Sequence, residues 1–260
     1  LLWNLRFIKQ KNTNRYLFQK QKQNLEVCFT DALFDYQKNT EALIVVVDIL
    51  RATSSICNAF ANGVDKIIPV ETRNIAHQMK LKGYTVAAER DGFKLDFADF
   101  GNSPFNFSKE NVEGKTIVYS TTNGTRTIHQ AAECHQVVIG SFLNNKAVAD
   151  FLISKHRPVI IFCAGWKNRF NIEDTIYAGC LAETLILSGL YATKCDSALT
   201  AMDMWKNNKD DLRGLIDRCA QRYRLQEKGL DDCIDFCLQQ DLSDIVPLFK
   251  DNEIVSHKIM

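Results

Sequence analysis

Short β-branched runs alternate with helical stretches along most of the chain. Apolar runs at 26–29, 43–48, 66–70, 85–88, 116–120, 136–140 and 158–163 predict strands. The segments near 53–62, 72–82, 124–133, 144–155, 173–189, 209–223 and 230–239 carry helical spacing. Strand–helix alternation at this interval predicts an α/β fold, three-layered α/β/α, around a largely parallel, mixed central sheet. Residues 44–47 and 159–162 are apolar without a break, as strands covered on both faces must be. The rhythm stops at 90–115, where Gly92, Gly101, Pro104 and Gly114 mark a long loop, and such loops carry function or a short helix. Residues 253–259 read as an edge strand.

Three apolar strands run straight into polar turns. The first gives Asp48-Ile-Leu-Arg51-Ala-Thr53-Ser54-Ser55, the second Ser120-Thr121-Thr122-Asn123-Gly124-Thr125-Arg126. The third gives Cys163-Ala-Gly165-Trp166-Lys167-Asn168-Arg169, with Glu173-Asp174 close behind. In a parallel sheet these carboxyl ends share one edge, where α/β folds bind ligands. Hydroxyls and glycine at a helix start offer N–H groups and a positive dipole end, and Arg126 adds a fork that matches phosphate, so the turns predict a phosphorylated ligand. Taken singly, Ser54, Ser55, Thr122 and Thr125 read equally well as helix caps, and Glu173-Asp174 as a favourable charge on a first helical turn. Asp48 is different, because a carboxylate leaving a buried strand is costly without a partner, although Arg51 can serve as one. Carboxylates beside phosphate-binding groups (Asp48, Glu89, Asp174) point to Mg²⁺.

Composition changes this picture only at the edges. The 260 residues are 46% hydrophobic and 24% charged, as in a soluble globular protein, with no apolar run long enough for a membrane span. Net charge is +1, yet residues 1–24 hold six basic residues and no acid, leaving a net of −5 elsewhere. That leader has no apolar h-region, so it reads as a disordered extension before a domain at 25–260; a nucleic-acid arm is the weaker reading, and no nucleic-acid partner is expected. Nine cysteines without a C-x-x-C, an odd count, predict a reducing cytoplasm and no structural zinc. The sequence does not state an oligomeric order; a homodimer is the working expectation.

Competing phosphate chemistries leave partial signatures. There is no G-x-x-x-x-G-K-[ST] loop. An aspartyl phosphatase would want a second Asp where Leu50 stands. Cys163-x5-Arg169 has the spacing of a cysteine-dependent phosphatase, but Phe162 and Phe170 flank it where a His and a hydroxyl are wanted. A non-catalytic anion-binding module is the remaining alternative; it would not need acids beside its arginines.

The stretches VVVDILRATSSI (45–56), AAERDG (87–92), FGNSP (100–104), VYSTTNGTRTI (118–128) and FCAGWKNRFNIEDTIYAG (162–179) together resemble the 2-phosphosulfolactate phosphatase family. FTDA (29–32) and DIVPLF (244–249) extend the similarity. The resemblance implies a cytoplasmic, Mg²⁺-dependent acid phosphatase of coenzyme M biosynthesis. Its substrate would be a small anionic phosphoester of charge about −4 near neutral pH. It implies catalytic Asp48, Arg51, Glu173 and Asp174, with Mg²⁺ on Asp48 assisted by Asp174 or Glu89. Arg51, Arg126 and the amides of 122–125 would steady the phosphoryl oxygens, and Glu173 or Asp174 would move the proton. Arg90, Lys167 and Arg169 would hold the sulfonate and carboxylate. Thr53, Ser54, Asn102, Ser103, Thr121, Thr122, Asn123, Gly124, Thr125, Gly165 and Trp166 complete the expected substrate shell.

Overall fold

The computed structural model describes residues 21–258. Its eleven strands are β1 (Gln23–Cys28), β2 (Leu43–Val47), β3 (Lys66–Pro69), β4 (Thr85–Arg90), β5 (Phe93–Lys94), β6 (Thr116–Ser120), β7 (Gln136–Gly140), β8 (Val159–Cys163), β9 (Tyr191–Ala192), β10 (Ile245–Lys250) and β11 (Glu253–Lys258). They form one ladder in the order β5-β4-β6-β3-β11-β10-β7-β2-β8-β1-β9. The fold is α/β with a mixed, mostly parallel sheet flanked by helices, as the alternating pattern predicted.

The two uninterrupted apolar runs explain the centre. Every residue of β2 and β8 is buried, and β2 pairs in parallel with β7 on one side and β8 on the other. Side chains alternate across the pleat. Val45, Val47, Ile161 and Cys163 enter a core with helices Ile172–Leu187 and Asp196–Asn208. Ile44, Val46, Ile160 and Phe162 enter another with helix Ala52–Ala61 on the opposite face. Each such valine, isoleucine or phenylalanine contributes about 1.5–3 kcal/mol by leaving water.

The sheet departs from expectation in its middle. The segment read as an edge strand is β11, and it lies inside the ladder, paired with β3 and with β10. β10 in turn pairs antiparallel with β7. This hairpin separates two parallel blocks, β4-β6-β3 and β7-β2-β8-β1-β9, and three antiparallel steps in succession reverse strand sense between them. Hence the polar turns do not share one edge of a single parallel sheet. They converge instead from the carboxyl ends of two blocks: a Cβ built on Gly124, after β6, would sit 3.0 Å from Asp48 Oδ2, after β2.

The long loop at 90–115 holds β5, a 3₁₀ turn at Pro104–Phe107 and helix Lys109–Val112. The helix expected at 209–223 is broken into Leu212–Ile216 and Ala220–Gln226, and that at 230–239 shrinks to Ile234–Cys237. Residues 1–20 of the basic leader lie outside the described residues, while Gln23 and Asn24 already pair with β9.

Candidate active site

Asp48 follows the last residue of β2, half-buried, and its backbone is locked by the turn it opens. Its N–H donates to Thr53 Oγ1 (3.0 Å), and its Oδ1 accepts the Ala52 N–H (3.2 Å). Ser54 Oγ donates to the Ile49 carbonyl (2.9 Å), and Ser55 Oγ to the Asn102 carbonyl (3.0 Å). These hydroxyls are fully buried and consumed in shaping the turn and tying it to 102. Thr121 and Thr125 cap one another in the same way, each N–H bonding the other's Oγ1.

Asp174 is also an organiser. Completely buried, it accepts from the Ile49 N–H (2.8 Å), the Gly165 N–H (3.1 Å) and Asn171 Nδ2 (2.8 Å), which binds the turns after β2 and β8 together. Glu89 does the equivalent for the other block. It accepts from the Gly92 N–H (2.6 Å), the Thr122 N–H (2.7 Å) and Thr122 Oγ1 (3.1 Å). Three charge-assisted bonds each leave these carboxylates little capacity for a cation.

A cleft forms between these turns. Asp48, Arg51, Glu89 and Glu173 line it, with Asn102, Thr122, Asn123, Gly165 and Trp166. It encloses about 30 Å³ as folded, room for ordered water. Gly165 has φ +63°, and a Cβ there would meet the Arg169 carbonyl at 2.4 Å, so only glycine allows the tight 165–169 turn that sets Trp166 against the cleft. Gly124 matters for proximity: a Cβ would lie 2.6 Å from Ala52 Cβ. The hollow of about 510 Å³ beside Lys146, Asp150 and Asp241 gathers none of the strand-end turns.

Two acids in the cleft keep unspent oxygens. Asp48 has only Oδ1 engaged, and Glu173, 2% exposed, has no ion-pair partner among the described residues. Burial pushes the Asp48 carboxyl up to about 6, with the Glu89 charge adding to it. Burial likewise pushes Glu173 up to about 7, against the pull of Arg224 and with the Asp48 charge adding to it. Asp174 is raised well above the usual range by burial, then by Asp48 and Glu173. Three acids and one guanidinium on the lining leave negative charge in excess, which a hard divalent cation would balance. Among the described residues no three His, Cys, Asp or Glu side chains gather as a metal cage. The donor set fits Mg²⁺, which takes one or two carboxylates and fills the rest of its shell with water and phosphate oxygens.

The expected cation cluster is distributed differently. Arg51 is nearly buried in the cleft, one Nη2 bond reaching the Gly92 carbonyl (3.2 Å). Arg90 turns back onto Ser120 Oγ (2.9 Å) and the carbonyls of Glu89 and Glu71. Arg126 pairs with Asp31 and bonds Asn168 Oδ1 (2.8 Å), facing a neighbouring hollow. Lys167 pairs with Asp91 at 2.6 Å, and Arg169 is exposed. Ser103 lies in an adjoining hollow that shares Arg51, Gly92 and Asn102 with the cleft. Cys163 is buried in β8 with its thiol raised well above normal by desolvation and Asp174, which leaves no thiolate for nucleophilic attack. Gln221 and Leu225, from helix Ala220–Gln226, also line the cleft, and neither was signalled by a motif.

The family model described as 2-phosphosulpholactate phosphatase matches residues 28–252. A probable 2-phosphosulfolactate phosphatase of Clostridium novyi is 35% identical over 82% of this chain and 91% of its own length. One from Clostridium acetobutylicum is 34% identical over 81% and 91%. A Thermotoga maritima protein of the same description is 36% identical over 78% and 87%.

Proposed function

The chain belongs to the 2-phosphosulfolactate phosphatase family, and we propose that it is a Mg²⁺-dependent phosphoric monoester hydrolase that releases phosphate from 2-phospho-3-sulfolactate. The observation that carries the reading is the pair of unspent carboxylates, Asp48 and Glu173, facing Arg51 in one cleft built by the family's own motifs. Asp48 is the side chain assigned to Mg²⁺. Bound there, the ion would neutralise phosphoryl oxygens and polarise phosphorus toward attack.

The chain's own groups account for the rest. Arg51, anchored by one bond to the Gly92 carbonyl, presents its guanidinium to charge that grows on the equatorial oxygens. Asn102 and Asn123 place side-chain amides on the cleft wall, and each has its Oδ1 already bonded, to Tyr119 and to the Lys167 N–H. Their Nδ2 donors are thereby turned outward from those contacts and serve to orient an anion. Glu173, with a carboxyl near 7, suits proton transfer at neutral pH: it gives its proton to the leaving alkoxide and recovers it from water. Asp174 and Glu89 keep the turns in register. Purified protein should release phosphate from phosphosulfolactate with Mg²⁺, stop in EDTA and resume when Mg²⁺ is returned. Undiminished release in EDTA would refute the metal assignment, and no release under any condition would refute the substrate.

A further inference from the structure

A substrate with a phosphate, a carboxylate and a sulfonate needs a cation for a group that does not react. Of the residues expected to supply it, Arg90 is engaged on Ser120 and Lys167 on Asp91, while Arg169 is exposed and does not line the cleft. We infer that Arg224, from helix Ala220–Gln226, is the residue that binds the non-reacting sulfonate or carboxylate; this rests on the phosphatase reading above.

The helix is tied to the site by Gln221, which is 8% exposed and donates Nε2 to the Leu50 carbonyl at 2.8 Å. Gln221 Oε1 accepts Arg224 Nε at 2.8 Å. The Arg224 guanidinium carbon stands 4.5 Å from the centroid of the Trp166 ring, on a residue of the cleft lining. The ring contact and the Nε bond hold the guanidinium at two points, while Nη1 and Nη2 carry no hydrogen bond among the described residues. Glu173 attracts it without forming an ion pair among those residues. A planar fork held by one face and one edge, with its two terminal donors open, is prepared to receive two oxygens of a single anion. Arg51 lies one residue beyond the carbonyl that anchors Gln221, so one contact links the phosphate end to this second subsite.

The test is calorimetric binding to the Mg²⁺-loaded full chain, with phosphate release measured on the same preparations. The probes are 3-sulfolactate, lactate (carboxylate only), 2-hydroxyethanesulfonate (sulfonate only) and inorganic phosphate. Arg224→Gln should weaken 3-sulfolactate about 10- to 100-fold, as for loss of a bidentate charged pair. It should weaken one single-anion probe and leave phosphate within about 3-fold; the probe that suffers names the group bound. Arg224→Lys, which keeps charge and stem, should recover only part of the affinity and serves where the Gln variant does not fold. Unchanged 3-sulfolactate binding, a parallel loss for phosphate, or no binding by the wild type would overturn the assignment. Arg224-dependent binding without phosphate release would leave it standing and remove the phosphatase reading; release with Arg224-independent binding would do the reverse.

Discussion

Replacing Glu173 by Gln should make the metal-free protein more stable while abolishing turnover. In the fold the Glu173 carboxyl titrates near 7, against an ordinary value of 4.5, because burial and the Asp48 charge disfavour ionisation. Below pH 4.5 both folded and unfolded chains hold the proton, and the group is neutral toward stability. Between 4.5 and 7 the unfolded chain releases its proton first, so stability falls as pH rises. Above 7 the whole deficit is present. At 1.36 kcal/mol per pH unit of displacement it amounts to roughly 3 kcal/mol. Gln keeps the shape and cannot ionise. Urea or thermal unfolding in EDTA should therefore show no difference from wild type at pH 4, a gap that opens through pH 5–7, and a plateau at pH 8. For a domain of this size that plateau corresponds to roughly 5–10 °C in Tm. Asp48 and Glu173 repel each other, so removing one charge also eases the other, and the double variant should gain less than the sum. Phosphate release should drop at least about 100-fold, the usual weight of a general acid. A variant no more stable than wild type at pH 8, or a difference that does not change with pH, would refute the placement of an ionised Glu173 without an ion-pair partner among buried side chains.

Asp48→Asn should eliminate both turnover and Mg²⁺ binding in a calorimetric titration, and retained Mg²⁺ affinity would move the ion to another carboxylate. Gly124→Ala drives a methyl to 2.6 Å from Ala52 Cβ and 3.0 Å from Asp48 Oδ2, so it should cost about 1–3 kcal/mol in urea unfolding and disable phosphate release; a fully active, equally stable variant would contradict that packing. Pairing it with Ala52→Gly should restore part of the loss. Cys163→Ala should retain phosphate release within about 3-fold, since a buried thiol kept protonated cannot attack phosphorus; loss of activity in a folded variant would revive the cysteine route.

The strands were legible because β-branched runs 44–47 and 159–162 fit only a position buried on both faces. β10 escaped notice for a reason: Pro247 sits within it, and proline normally demotes a run to an edge. Here the strand pairs along its whole length with β11 but with β7 through only two residues, Leu248 and Phe249. Helix Asp31–Gln37 was missed because it is short and leaves Leu33 and Tyr36 exposed, blurring its periodicity. At the site, the turns that carry chemistry stood out in the sequence, but the state of each charge did not. Arg126 finds Asp31 and Lys167 finds Asp91 only after folding, across gaps that no spacing rule covers. Arg224 fell just past the helix read at 209–223 and belongs to no motif; the i,i+3 spacing of Gln221 and Arg224 was the one available hint, and it is too common to single out.

The β10–β11 hairpin has a bearing on biogenesis. Translated after every other described strand, it becomes the keystone of an arch whose two piers, β3 and β7, are already made. Until the ribosome delivers it, both piers present bare hydrogen-bonding rims, the kind of surface that recruits chaperones or sticks to neighbouring nascent chains. Competence to act on a phosphoester thus arrives abruptly, when that hairpin docks between the piers, and not by gradual accretion.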